Sequence, residues 1–121
     1  MRLTDRETDL MNVLWESGPC TVAEVHARLA DKLAYTTVLS VLRGLESKGS
    51  VKRTKVGRAH RYAARVTRES ACHRAIAALT AKFFRGSSDG LLVHLVEHER
   101  LSEAEISRLR ALLEKHQRNT R

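Results

Sequence analysis

Seven basic side chains stand in 18 consecutive positions with no Asp or Glu among them: Lys48, Lys52, Arg53, Lys55, Arg58, Arg61 and Arg65, with His60 in the same stretch. Elsewhere in the chain, charges of both signs are mixed. Cations at this density suit a polyanion, because each one that neutralises a phosphate releases a condensed counterion. Such contacts fix position and register and carry no base preference of their own. The whole chain has the same bias, with 22 Lys and Arg against 14 Asp and Glu and a net charge of +8. On charge alone the partner can be nucleic acid, anionic lipid or an acidic protein.

The remaining reactive residues are sparse. Of the six histidines, His94 and His98 stand four apart, a helical spacing that can hold a metal ion. They are either a solvated surface pair or the core of a metal-responsive site, and no cysteine accompanies them. Cys20 and Cys72 form no CxxC pair and are expected to be free thiols. There is no Gly-rich phosphate loop, no HExxH and no nucleophile elbow. The expectation is a protein that is not an enzyme, with no cofactor and no small-molecule substrate. No apolar run reaches the roughly 18 residues of a membrane span. The first nine residues are charged and lack a signal-peptide core, so the expected location is the cytoplasm.

The elements that must position the cations can be read from caps and periodicity. Thr4-Asp5-Arg6-Glu7 is a capping box, followed by Leu10, Val13 and Leu14 on one stripe and a stop at Ser17-Gly18-Pro19. Thr21-Val22-Ala23-Glu24 is a second box, opening a short helix that ends near Asp31. A third helix runs from Tyr35 to Lys48, with Val38, Val41, Leu42 and Leu45 on its buried face and Gly49 after its end. Val51–Lys55 and His60–Ala64 then flank a Gly57-containing turn and predict a hairpin, with Tyr62 turned to the core. Beyond Thr67 the helical period returns through Cys72, Ala75, Ile76, Leu79 and Phe83. Gly86–Gly90 is a break, Leu91–Val96 an apolar helix, and Ser102-Glu103-Ala104-Glu105 a third capping box before a last helix that frays from Gln117.

Three helices followed by a hairpin make a winged helix-turn-helix. The expected fold is mainly α with a small β-hairpin wing. Residues 1–66 form the DNA-binding domain and residues 67–121 a three-helix dimerisation domain. In such a fold the third helix enters the major groove. At about 100° per residue, Thr36, Ser40, Arg43 and Ser47 lie opposite the buried stripe, with Thr37 on the flank. Arg43 can pair with guanine, and the Thr methyls can touch thymine. Tyr35 can donate its hydroxyl to a phosphate or pack at the edge of the core. The candidate DNA-binding set is Tyr35, Thr36, Thr37, Ser40, Arg43, Lys52, Arg53, Lys55, Arg58, His60 and Arg61. A winged helix can instead serve as a protein-interaction module, and the basic wing is what favours DNA.

The chain resembles the BlaI/MecI/CopY family of penicillinase-repressor-type regulators, its actinobacterial members in particular. The likeness rests on Leu3-Thr4…Glu7…Leu10-Met11…Leu14-Trp15, on Thr21-Val22…Glu24-Val25, on Ala34-Tyr35-Thr36-Thr37-Val38…Leu42…Leu45…Lys48-Gly49, and on Arg58-Ala59-His60-Arg61-Tyr62. It implies a homodimer on a palindromic double-stranded operator that represses β-lactam resistance, envelope-stress or respiratory genes. It also implies derepression when a membrane-bound sensor metalloprotease cuts the C-terminal domain. The bond matching the family's Asn–Phe cleavage position is His94-Leu95, so a protease acting here needs a different specificity. Copper-responsive relatives carry a C-terminal Cys-x-Cys pair, whereas this chain has no cysteine after Cys72.

Three short helices bury little surface alone. Ile76, Leu79, Phe83, Leu91, Leu92, Leu95, Ile106, Leu109 and Leu113 therefore need cover; packing on the N-terminal domain would supply it in a monomer, and a second copy supplies it while also matching the symmetry of a palindrome, which favours the dimer.

Overall fold

A computed structural model describes residues 2–120. Its order is α1 (Asp5–Ser17), β1 (Cys20–Thr21), α2 (Val22–Arg28), α3 (Tyr35–Ser47), β2 (Val51–Val56), β3 (Ala59–Ala64), α4 (Arg68–Phe83), α5 (Ser88–His98) and α6 (Glu103–Asn119). The mainly helical class with a small hairpin is as the sequence predicts. The chain forms two compact units, which divide within α4 between Leu79 and Thr80.

All three capping boxes form. Thr4, Thr21 and Ser102 each accept from the backbone three residues on, and Glu7, Glu24 and Glu105 each reach back to the cap N–H. Orphan helix donors are thereby satisfied within four residues of sequence. Accepting those hydrogen bonds also favours the charged carboxylate. The Thr21 backbone N–H holds Glu24, and the Ser102 backbone N–H holds Glu105, below the usual carboxylate range.

Glu7 does more. Lys48 Nζ, at the end of α3, donates to its Oε1 over 2.7 Å, closing the start of α1 onto the end of α3. Burial alone pushes the Glu7 carboxyl up. The Lys48 hydrogen bond, the Thr4 N–H and the Lys48 charge together outweigh it and hold the group low. A carboxyl that is low in the folded chain and ordinary in the unfolded one stabilises at neutral pH, and this contribution vanishes as pH falls through the folded value. Glu7→Gln is therefore expected to lower Tm at neutral pH, and the gap from the parent chain should close as pH falls through the lowered value of the folded-state carboxyl. A Tm gap that persists in acid would assign the effect to packing instead of charge.

The core of the first unit joins Leu10, Met11, Val13 and Leu14 of α1, Cys20, Val22 and Val25, Val38, Leu42 and Leu45 of α3, and Val51 and Tyr62 of the sheet. Val41, expected on the same face as Val38, is only half-buried. Trp15 Nε1 donates to the Val66 carbonyl at 2.9 Å, and the Arg68 guanidinium lies 5.5 Å from the Trp15 ring centroid. These contacts hold the start of α4 on α1.

The sheet is antiparallel in the order β1-β3-β2. The hairpin pairs Val51 with Ala64 through to Val56 with Ala59, leaving Gly57-Arg58 as a two-residue turn. Gly57 has φ 62°, the first central position where the tight hairpin turn favours glycine. The third strand, β1, pairs Cys20 with Tyr62 and Thr21 with Arg61. Two residues are too few to show alternation, so β1 leaves no periodic trace in the sequence.

Other boundaries differ from expectation. α2 stops at Arg28, short of Asp31, because Leu29 turns to extended backbone and packs with Leu33 against the core. Ser88–Gly90 belong to α5, not to the preceding break. Ser87 caps that helix by accepting from Gly90, where a Cβ would lie 3.3 Å from the Phe84 ring. α6 does not fray at Gln117 but continues to Asn119, with His116 and Arg118 placed to complement the helix dipole. Cys20 is buried while Cys72 is exposed, although Cys72 stood in the apolar stripe of α4; both are free thiols.

In the second unit, α5 and α6 bury no residue among those described. Phe83, Leu92, Leu95, Ile106, Leu109 and Leu113 are exposed, as are Ile76 and Leu79 on α4, whereas Leu91 is half-buried. Val93, Val96 and Leu112 extend the exposed apolar set.

Candidate nucleic-acid interface

α3 lies against the core through Val38, Leu42 and Leu45, which directs the opposite side outward. Thr36, Ser40, Arg43 and Ser47 are exposed there, and Thr37 is half-buried on the flank. Ala34 offers no side-chain cap to the N–H groups that open this helix. Tyr35 is half out in solvent, with its ring edge-on to His26 at 6.1 Å.

Strand parity sorts the wing. Residues directly opposite in an antiparallel pair share a face, and successive residues alternate. Arg53 stands opposite Tyr62, and Lys55 opposite His60. Tyr62 is fully buried, so Arg53, Lys55 and His60 project from the face that looks toward the helices. Lys52 and Arg61 belong to the other face, where Arg61 stands opposite Thr54 and Thr21. The wing is therefore two differently directed cationic surfaces.

On the helix-facing side, α3 and the wing enclose an open groove of about 390 Å³ lined by Tyr35, Leu39, Arg43, Arg53, Arg58 and His60, among others. Five of the eleven candidate DNA-binding residues thus meet in one place: Tyr35, Arg43, Arg53, Arg58 and His60. Thr36 and Ser40 face out from α3 beside the groove, Lys55 stands farther along the strand, and Lys52 and Arg61 face away.

The uninterrupted positive run is not uninterrupted in space. Lys48 is tied to Glu7, and Arg53 Nε lies 3.6 Å from Glu46 Oε2 of α3. Sequence inspection missed Leu39 and Glu46 as neighbours of the site. Their signal is position alone, since both fall on the wing side of α3. Among the described residues, no three His, Cys, Asp or Glu side chains converge as a metal site. The His94 and His98 rings stack at 4.4 Å between centroids, tilted by 39°.

The family model described as penicillinase repressor matches residues 3–115. The chain belongs to the penicillinase repressor family. It is a family of DNA-binding transcriptional repressors and not of enzymes, as the sequence predicts. Within reach of this penicillinase repressor chain is a Mycobacterium tuberculosis protein, transcriptional regulator BlaI, 41% identical over 93% of this chain and 84% of that one. The penicillinase repressor of Bacillus licheniformis is 24% identical over 95% of this chain and 91% of its own length. A solved MarR family protein from Bacillus stearothermophilus covers all of this chain and 78% of that one, with a TM-score of 0.53 and 23% identity. That likeness is one of fold. No helix among the described residues is long and apolar enough to cross a membrane.

Proposed function

We propose that this repressor acts as a homodimer on a palindromic operator. Residues 1–66 read DNA and residues 67–121 carry dimerisation. The supporting observation is the groove between α3 and the wing, where Arg43, Arg53, Arg58 and His60 line one concavity beside the hydroxyl-bearing face of α3. Arg43 reads a base edge, while Arg58, at the wing turn, holds a phosphate. Thr36, Thr37 and Ser40 make shorter contacts. Lys55 extends the phosphate track, and Lys52 and Arg61 raise the local positive potential from the far face.

The exposed apolar residues of α4, α5 and α6 support the dimer. Large apolar side chains are exposed on three successive helices, more than the scattered single residues of an ordinary surface. A second copy covers them with the twofold symmetry that a palindrome needs. The regulated genes are those of β-lactam resistance, envelope stress or a related response such as respiration. Derepression follows cleavage by a membrane-bound sensor metalloprotease at or near His94-Leu95, on the exposed helix α5. The working compartment is the cytoplasm.

The test is binding to a duplex from the promoter upstream of its own gene and to random duplex of equal length, across a salt series. Expected are two protomers per promoter site and a preference of about a thousandfold over random DNA. Affinity should fall steeply as salt rises. Equal, weak binding to both duplexes would defeat the repressor-at-its-own-promoter reading. Absence of binding at low salt would defeat DNA recognition and favour a protein-interaction module.

A further inference from the structure

From Lys32 to Arg68 the chain holds a single acidic residue, Glu46. It sits inside a segment that otherwise offers phosphates only cations and hydroxyls. A carboxylate there raises the electrostatic cost of approaching DNA unless it has a task.

Its surroundings define one. Glu46 Oε2 lies 3.6 Å from Arg53 Nε, and the two side chains are 35% and 38% exposed. Ion pairs this exposed add little to stability, so fold maintenance does not account for it. At about 100° per residue, Glu46 falls on the same flank of α3 as Tyr35 and Leu39, both of which line the groove, and well away from the outward face of Ser40 and Ser47. The carboxylate thus stands on the wing-facing flank of α3, next to the Arg53 side chain that lines the groove.

The atom it approaches matters as much. Nε is the inner nitrogen of the guanidinium, so a carboxylate on that side leaves the two outer nitrogens directed away from it. Those outer nitrogens form the fork that binds a phosphate or a guanine edge through two parallel hydrogen bonds. Arg53 shares the groove with Arg43 and Arg58, and opposite Tyr62 its strand position is fixed by the register.

We propose that Glu46 is a positioning residue. It holds the Arg53 guanidinium by its inner edge and presents the outer fork to the DNA. The inference rests on the DNA-binding reading above and adds a named geometry to it.

The experiment is a double-mutant cycle on the full chain, with the promoter duplex as probe. Glu46→Ala is expected to weaken promoter binding by about tenfold and leave Tm unchanged. Glu46→Gln, which keeps the size of the side chain but not its charge, should lose as much as Glu46→Ala, because the contact at 3.6 Å is an ion pair, whereas Glu46→Asp should retain part of the affinity. Arg53→Lys, which has no fork, should lose as much as Glu46→Ala. In an Arg53→Ala background, Glu46→Ala should have no further effect. Unchanged or tighter binding by Glu46→Ala would overturn the inference, because the carboxylate would then be idle or merely repulsive. An equal loss in the Arg53→Ala background would overturn it too. Failure of the unmodified chain to bind promoter DNA would instead sink the functional reading itself.

Discussion

Replacing Leu92 and Leu95 together with Asp is expected to yield a monomer that cannot hold its operator. Both side chains lie on α5, 53% and 41% exposed in the single chain. Neither supports the core of the first unit, so the double variant should keep the helices and hairpin of that unit and its melting behaviour. Two carboxylates within an apolar interface would be desolvated without partners, a cost that a marginal dimer cannot absorb. Light scattering should report half the parent's mass. Losing the second reading head removes the intramolecular advantage of the second half-site, which lowers operator affinity by about 10²- to 10⁴-fold. Binding to random DNA should survive with roughly half the salt slope, since about half the phosphate contacts remain. Dimers that persist in this variant would place the interface elsewhere. Monomers with intact operator affinity would separate dimerisation from DNA reading altogether.

The parts of this molecule that sequence discloses are those whose causes are local. Thr4 with Glu7, Thr21 with Glu24, and Ser102 with Glu105 form their caps within four residues, and all three are visible in the letters alone. The buried stripe of α3 follows from spacing, as does the burial of Tyr62 from its place in an alternating strand. What stayed hidden depends on partners distant in the chain. Lys48 looks like a wing cation until Glu7, 41 residues earlier, takes its ammonium. The two faces of the wing become distinct only once register pairs Arg53 with Tyr62. β1 exists because Tyr62 and Arg61 offer it an edge, and nothing in Cys20-Thr21 announces a strand. Ser88-Asp89-Gly90 has turn-like composition, yet the Ser87 cap and the Phe84 ring over Gly90 make it the first turn of a helix. The candidate interface was therefore legible as a list of residues, and its division into groove-lining and outward-facing members was not.

That division gives the sharpest comparison of single substitutions, Arg43→Ala against Arg58→Ala. Both arginines line the groove, but they arise from different elements. Arg43 projects from the exposed side of α3, the helix that a winged helix places in the major groove, where a guanidinium can engage guanine O6 and N7 together. Arg58 occupies the turn between β2 and β3, where the strand ends leave it free to follow the backbone. Arg43→Ala is expected to weaken the cognate operator by about 1–3 kcal/mol and to relax preference at one base position in each half-site. Random DNA should notice it far less. Arg58→Ala should weaken cognate and random duplexes alike and reduce the salt slope by about one unit per protomer. Competition binding with single-base operator variants, repeated at several salt concentrations, separates the two. The same proportional loss on cognate and random DNA for both variants would remove Arg43 from base reading and leave the hydroxyls of Thr36, Thr37 and Ser40 as the specificity contacts.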